Sequence, residues 1–216
     1  MAWNSLLTEL AKGTFTTITV SLAGIAVGML AGLALALVRA GAVPIAATAV
    51  AVYVSVIRAT PMVTLALLIF FGLPALGLAM SPWIAAIVII AINTSVFQAE
   101  IWRASLVDFP RGQLDAAHAG GMTPVLSFRR IVFPQVWRAS LPALVNEMTL
   151  VIKGSPAVAV IGVVDLTRVA VRWTTQTYEP IPPFLTATAI YVIVVMCLIR
   201  VQRYTERRLV EKYGIL

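Results

Sequence analysis

The chain has 216 residues, of which 60% are hydrophobic and 12% are charged. Its mean hydropathy of +0.95 excludes an ordinary soluble domain, because such domains are only about half apolar. A membrane-spanning helix needs about 20 apolar residues, so the length allows roughly five spans and no large soluble domain. We therefore predict an all-α membrane protein with a single transmembrane domain over residues 1–216.

The net charge of +7 is compatible with nucleic-acid binding, but the basic residues lie beside apolar segments. The positive-inside rule of membrane proteins explains that placement better, so we expect no nucleic-acid partner. Cys197 is the one cysteine and can form neither an internal disulfide nor a cysteine metal cluster. The first apolar segment is long enough to remain as a span, so no cleavable signal peptide is expected.

Residues 1–13 are expected to form an interfacial lead-in, and the first span is predicted at about 14–38. Gly24, Gly28 and Gly32 recur every four residues along this span. Small residues at that spacing share one helix face and let another helix approach closely. The stripe therefore predicts helix packing, without any chemistry of its own.

The second apolar segment, at about 45–73, contains Arg58 and, shortly after it, Thr60-Pro61. Pro61 should kink the helix, because proline lacks an N–H and clashes with the preceding turn. A charge within a span is costly unless it snorkels, pairs or faces an aqueous path. Arg58 therefore marks either the cytoplasmic end of this span or part of a polar pathway through the membrane.

The third span is predicted at about 82–103, because Ser81-Pro82-Trp83 combines an N-cap, a first-turn proline and an interfacial aromatic residue. The loop before it, residues 74–81, has no charge, which fits the outer side. The second half of the span is unusually polar, and polar residues in lipid usually face the helix bundle. These residues are Asn93, Thr94, Ser95, Gln98 and Glu100.

Residues 104–139 form a long polar loop between the third and fourth spans. From residue 100 to residue 138 the chain has five arginines and three acidic residues, so a cytoplasmic position is expected. The loop contains the start and stop signals of two short helices. The helix-forming run 113–117 is ended by Gly120-Gly121, and Thr123-Pro124 supplies the N-cap and first-turn proline of the second helix.

The fourth span is predicted at about 140–164 and is interrupted by polar residues. Glu147 and Lys153 are six positions apart, so they cannot form the close pair of residues three or four apart on a helix. Each therefore needs its own partner or water. Gly154-Ser155-Pro156 should break the helix, and broken helices at membrane depth are tolerated where they line a cavity.

Residues 165–183 mix charges with apolar residues and predict an amphipathic helix at the outer surface. The fifth span, at about 184–202, leads into a basic tail that ends the chain. Of the 16 basic residues, 11 fall on the inside in this topology. The predicted orientation is N-terminus outside and C-terminus cytoplasmic, with the inner basic residues being Arg39, the five loop arginines, Arg200, Arg203, Arg207, Arg208 and Lys212.

The central loop carries a long motif. Asp115-Ala116-Ala117, then Gly121, then Ile131 and Phe133-Pro134 resemble the "EAA…G…I-LP" signature of permease subunits of binding-protein-dependent ABC importers. Asp115 replaces the usual glutamate and Phe133 replaces the usual leucine. The flanking residues resemble the polar amino acid branch of the family: Glu100-Ile101-x-Arg103, Gly112-Gln113, Pro134-Gln135, Leu141-Pro142-x-Leu144-x-Asn146 and Lys153.

This resemblance implies a type I ABC importer permease bundle of five transmembrane helices in the bacterial inner (cytoplasmic) membrane. It implies a dimer of permease subunits in membrane lipid, two ATP-binding cassette ATPase subunits on the cytoplasmic side and a solute-binding protein outside. The residues that couple the ATPase to transport are then Gly112, Gln113, Asp115, Ala116, Ala117 and Gly121. Arg58-Ala59-Thr60-Pro61 is similar to the family's "RGTP" element, and Ser155-Pro156 replaces Thr-Ser of its "K-x-T-S-L" segment.

Several motifs are missing from the sequence. There is no G-x-x-x-x-G-K-S/T phosphate loop, so we expect no ATP or other cofactor in this chain, and ATP-Mg bound by the partner ATPase. The lone His118 lacks a second metal ligand in range and is expected to be a surface residue. A channel, a transporter unrelated to ABC systems and an intramembrane enzyme remain the alternatives. For an intramembrane protease the sequence lacks both a G-x-S-x-G element and a histidine within a span that could act as the base.

A free amino acid carries an ammonium and a carboxylate, so a membrane site for it needs acceptors and donors near broken helix ends. An unpaired Glu147 at membrane depth would cost several kcal/mol, so a cationic partner is expected: Arg58, Lys153 or the ligand itself. We favour the ligand and hence a cationic amino acid. The predicted substrate-binding residues are Asn93, Gln98, Asn146, Glu147, Lys153, Ser155, Thr60 and Arg58.

Overall fold

The structure is a computed structural model that describes residues 2–41 and 43–213, with side chains for residues 4–41 and 43–208. The side chain of Lys212 lies outside this part. The described residues are helical, with no strand among them. The α-helices are α1 (Ala2–Ala40), α2 (Pro44–Ala59), α3 (Met62–Gly72), α4 (Pro82–Val107), α5 (Arg111–Ala119), α6 (Pro124–Ser127), α7 (Phe133–Gly154), α8 (Leu166–Thr177) and α9 (Ile181–Tyr213).

Four helical stretches among the described residues are long and apolar enough to cross a membrane: Asn4–Ala40, Pro82–Val107, Pro124–Ile161 and Ile181–Arg208. A fifth is present if the bent pair α2 and α3 counts as one broken span. The prediction of an all-helical protein with several membrane-spanning helices is therefore confirmed.

The predicted kink at Pro61 is confirmed, and it is large. The axes of α2 and the following helix differ by 107°. Thr60 is extended, with φ −87° and ψ 124°, because the ring of the following proline disfavours helical backbone at that position. The chain thus leaves the helical conformation at Thr60 and Pro61 and starts again at Met62.

Two helices extend beyond the spans predicted for them. Helix α1 begins at Ala2 rather than near residue 14, because its first turns bury Leu6 and Leu10 against α8. Helix α7 begins at Phe133 rather than near residue 140. A π turn (Phe128–Val132) joins it to α6, and a 3₁₀ segment (Ser155–Ile161) follows it, so residues 124–161 form one continuous helical stretch. Pro134 directly follows the π turn and has no N–H to donate. At Gly154-Ser155-Pro156, where a break was predicted, the helix changes from α to 3₁₀ geometry without ending.

The glycine stripe of α1 packs against α4, as predicted. A Cβ atom placed on Gly28 would lie 2.1 Å from Cγ2 of Thr94 and 2.9 Å from the carbonyl oxygen of Ala91. On Gly24 it would lie 2.5 Å from Cγ2 of Ile90, and on Gly32 2.8 Å from the carbonyl oxygen of Ser95. Only glycine therefore allows α1 to approach α4 this closely.

We expect the substitution Gly28→Leu to destabilise the protein, because the new side chain must push α1 away from α4. Overpacking of this kind costs about 1–3 kcal/mol or more. The measurement is the melting temperature of the purified protein in detergent. Ala26→Leu is the matched control, since Ala26 is an exposed residue of the same helix. Equal melting temperatures of the two variants would show that the stripe does not pack α1 on α4.

The two ends of the bundle differ. At one end Leu6 and Leu10 of α1 pack with Leu166 and Val169 of α8, and the N–H of Leu166 donates to the hydroxyl of Thr17 (3.1 Å). At the other end the last turns of α1 pack through Ala36 with Trp102 of α4, Val132 of the π turn and Val136 of α7. The α5–α6 hairpin therefore lies at the end opposite α8.

Candidate functional site

A cavity of about 470 Å³ opens between α2, α4 and α7. It is open on one side and has polar residues from each of the three helices. Its apolar wall includes Phe97, Ile101 and Leu150. The polar and charged lining residues are Arg58, Glu100, Ser105, Asn146 and Glu147.

Glu147 is the buried charge of this cavity, with 7% of its surface exposed. Its Oε1 accepts a hydrogen bond from the hydroxyl of Thr94 (3.1 Å). Thr94 in turn accepts from the side-chain amide of Gln98 (3.0 Å). Oε2 of Glu147 is buried and has no hydrogen-bond partner among the described residues. A buried carboxylate oxygen without a donor is costly, so the prediction that a ligand supplies the missing donor is compatible with this geometry.

Arg58 lies on the α2 side of the same cavity and is exposed. Its guanidinium carbon lies 5.3 Å from the centre of the Phe97 ring, a distance at which a cation is attracted to the ring face. No ion pair joins Arg58 or Lys153 to Glu147 within the described part of the chain. The two intramolecular partners considered for Glu147 are therefore not used here.

The cavity brings together three of the predicted substrate-binding residues, Arg58, Asn146 and Glu147. Gln98 contributes indirectly, through Thr94. Four others do not line it: Lys153 is exposed at the end of α7, Ser155 is buried at the start of the following 3₁₀ segment, and Asn93 and Thr60 are partly buried elsewhere.

Glu100 lines the cavity but is absent from the residues predicted to bind substrate. Its carboxylate pairs with Arg39 at the end of α1 and with Nε of Arg103 (2.9 Å). Two arginines thus neutralise this charge, and it is less available to a ligand than Glu147. The spacing of Glu100 and Arg103, three apart on a helix, is a sequence signal from which this pair could have been predicted.

The α5–α6 hairpin has the local structure that its sequence predicts. Gly120 ends α5, and the hydroxyl of Thr123 caps α6 by accepting from the N–H of Leu126 (3.4 Å). The N–H of Met122 donates to the carbonyl of Ala117 (3.0 Å), which closes the turn. The exposed residues of α5 include Gly112, Gln113, Asp115 and Ala116, whereas Ala117 is buried.

Gly121 is required for its backbone conformation rather than for space. Its φ is +74°, and a Cβ atom placed on it would have nothing within 4 Å. The close spacing of the two short helices in the sequence predicts that a side chain at Gly121 would block the turn between them, but the structure has room for one, so this prediction is wrong. The left-handed conformation itself disfavours other residues, by roughly 1–2 kcal/mol.

An aromatic cluster lies at the hairpin end of the bundle and was not predicted. The rings of Trp102 and Trp137 stack with centres 5.6 Å apart, and Phe133 lies 6.5 Å from Trp102. The cluster joins α4 to the start of α7. Its residues are scattered in sequence, so only a pairing of α4 with α7 would have indicated it.

These features define a multi-pass helical membrane protein with a polar cavity within the bundle and a helical hairpin at one end. Residues 14–211 match the family described as "Binding-protein-dependent transport system inner membrane component". The chain therefore belongs to this family. Its members are the permease components of ABC importers, so the chain is a permease and is not an enzyme. The channel and the intramembrane enzyme are not supported.

Individual proteins agree with this assignment. The chain is 34% identical to the nopaline transport system permease protein of Agrobacterium fabrum, over 88% of this chain and 83% of that protein. It is 34% identical to the arginine transport system permease protein of Bacillus subtilis, over 73% of this chain and 72% of that protein. The crystal structure of an amino acid ABC transporter with histidines superposes with a TM-score of 0.87 at 32% identity, covering 96% of this chain and 97% of that one.

Proposed function

We propose that the chain is the permease subunit of an ATP-driven importer that carries a cationic amino acid across the bacterial inner membrane. It works as a pair of permease subunits, with two ATPase subunits on the cytoplasmic side and a solute-binding protein outside. The family supports this assembly, since its description names binding-protein-dependent transport. The relatives support amino acids and related solutes as substrates, because they are named for nopaline and arginine.

The proposed topology has five spans, with α2 and α3 as one broken span, the N-terminus outside and the C-terminus in the cytoplasm. Arg39, the hairpin arginines and the tail arginines are then all cytoplasmic, as the positive-inside rule requires. The membrane spans are proposed at about 14–38, 45–73, 82–103, 140–164 and 184–202, with the coupling loop at about 104–139. The outer parts of α1 and the first turns of α7 then extend beyond the bilayer.

The observation that carries the proposed substrate is the cavity with Glu147 on one wall and Arg58 on another. A cationic amino acid has a positively charged side chain for the carboxylate of Glu147 and its own carboxylate for the guanidinium of Arg58, and such a ligand binds where both groups are held in a cavity with apolar walls. Arg58 lies in the last turn of α2, directly before the 107° bend between α2 and the following helix. Broken helices beside a polar cavity are typical of transporter substrate sites.

We expect the reconstituted complex of two permease and two ATPase subunits to hydrolyse ATP faster when substrate-loaded binding protein is added. The reason is that the docked binding protein must favour the state in which the ATPase subunits close. The measurement is phosphate release in nanodiscs with and without binding protein. Complex carrying an ATPase subunit without its catalytic glutamate is the control. Failure of the chain to copurify with any ATPase, or the absence of stimulation, would contradict the proposed function.

A further inference from the structure

A second cavity, of about 480 Å³, lies on α8 at the end of the bundle opposite the α5–α6 hairpin. We call it the α8 recess. It is open to the surface and is formed by the 3₁₀ segment after α7 together with one face of α8. Its lining residues are Ala159, Val160, Thr167, Arg168, Val171 and Arg172.

Two arginines give the α8 recess its charge. Arg168 and Arg172 are four apart on α8, so they lie on one face, where like charges repel by roughly 0.2–0.5 kcal/mol. The guanidinium of Arg168 donates to the carbonyl of Ala159, which holds it against the recess wall, while Arg172 is exposed. Within the described part of the chain neither arginine has a carboxylate within 4.0 Å. The recess therefore presents two positive charges without a counter-charge.

Two carboxylates that contact α8 are already engaged. Asp165 is buried and caps α8, accepting from the backbone N–H of Arg168 (2.8 Å) and from the hydroxyl of Tyr191 (3.4 Å). Burial raises the pKa of the Asp165 carboxyl. Glu9 accepts from the indole N–H of Trp173 (3.0 Å). Neither of these two carboxylates therefore supplies a counter-charge to the recess.

The rim of the α8 recess is apolar as well as basic. Val160 is 46% exposed and Val171 is 45% exposed, and both line the recess. Exposed apolar residues beside arginine are typical of protein interfaces. An arginine held by a backbone carbonyl is pre-organised, and the guanidinium fork matches a carboxylate in two parallel hydrogen bonds. A protein surface with an acidic residue at its centre fits both properties.

We propose that the α8 recess is the docking point for an acidic surface loop of the solute-binding protein, with an aspartate or glutamate between Arg168 and Arg172. The inference rests on the proposed function, in which this end of the bundle faces outward. It adds the surface and the chemistry of the contact. Charge complementarity here steers the encounter and weakens as salt screens it.

The test is ATP hydrolysis by the reconstituted complex in phosphatidylcholine nanodiscs, measured against the concentration of loaded binding protein. For Arg172→Glu we expect the half-saturating concentration to rise about tenfold or more, since repulsion replaces attraction at a close contact. For Arg172→Gln we expect a smaller rise. The rate at saturation should stay unchanged in both, because the docked complex is the same. Raising the salt concentration should weaken docking more in the wild type than in Arg172→Gln.

Lys12→Glu is the matched control, because Lys12 is an exposed cation at the same end of the bundle and does not line the α8 recess. It should leave the half-saturating concentration unchanged. An unchanged value for Arg172→Glu would overturn the proposal. So would an effect seen only in nanodiscs with phosphatidylglycerol, which would assign the recess to anionic lipid. If the wild type is not stimulated at all, the proposed function fails together with this inference.

Discussion

Transport should fall to background when Ala117 is replaced by aspartate, while the protein should still insert into the membrane. Ala117 is 6% exposed, and its carbonyl accepts the N–H that closes the turn after α5. A carboxylate at this position must either be desolvated, at a cost of several kcal/mol, or expel the helix from its packing. Membrane insertion depends on the apolar spans, which the substitution leaves intact. The measurements are labelled amino acid uptake by proteoliposomes and the amount of protein in the membrane.

A second variant tests the hairpin through its backbone. Gly121→Val places a β-branched residue at φ +74°, where such residues are rarely found, so it should also abolish transport. Ala119→Asp is the control for charge, because Ala119 belongs to the same helix but is exposed. It should retain much more transport than Ala117→Asp. Normal uptake by both Ala117→Asp and Gly121→Val would contradict the proposal that this hairpin couples the ATPase to transport.

The parts of the fold that sequence predicts well are those decided by local backbone chemistry. Ser81 and Thr123 cap the helices that follow them, because a hydroxyl before a first-turn proline satisfies free N–H groups. Pro61 breaks its helix, since proline restricts the residue before it as well as its own turn. None of these effects depends on distant parts of the chain.

Helix length depends on packing and was less predictable. Apolar composition predicts which residues can lie in the lipid bilayer, but it does not predict where the helix itself begins or ends. The early start of α1 becomes favourable only because Leu6 and Leu10 meet α8, which lies more than 150 residues later in the sequence. The helical stretch from α6 into α7 likewise has a distant contact, because Phe133 at the start of α7 stacks on Trp102 of α4.

The sequence predicts that a polar cavity exists, but it does not predict which residues line it. Polar residues at membrane depth indicated a cavity, and Glu147 was the residue with the greatest need for a partner. Which residues share the cavity is decided by the rotation of each helix and by the bend at Pro61. Arg58, in the last turn of α2, lines the cavity, whereas Lys153, on the same helix as Glu147, does not. Glu100 was missed as a lining residue for the same reason.

One continuous helical stretch connects the α5–α6 hairpin to the cavity. Residues 124–161 form one helical stretch, with the hairpin turn at one end and Asn146 and Glu147 further along. Arg58 belongs to α2, which is not part of this helical stretch. A rigid-body movement of the hairpin would therefore move Glu147 relative to Arg58 and change the fit of a ligand held between them. We propose that closure of the ATPase subunits on the hairpin alters the affinity of the cavity in this way.

The largest effect on substrate choice is expected at Glu147. In proteoliposomes with the ATPase and binding protein, the wild type should take up labelled arginine faster than labelled glutamine. The cationic group of arginine can donate to the free Oε2 of Glu147. The substitution Glu147→Gln keeps the shape and the hydrogen bond to Thr94 but removes the charge. Loss of a charge-assisted hydrogen bond costs about 1.5–3 kcal/mol, so arginine uptake should fall by about tenfold or more.

Glutamine separates a charge effect from a general defect. Its uptake, however slow in the wild type, should change little in Glu147→Gln, because its neutral side chain does not need the carboxylate. Glu179→Gln is the matched control, since Glu179 is an exposed acid in the loop between α8 and α9, far from the cavity in sequence, and its loss should affect neither solute. If the wild type carries glutamine and not arginine, or if Glu147→Gln leaves arginine uptake unchanged, Glu147 does not bind the substrate, and its free oxygen requires another donor.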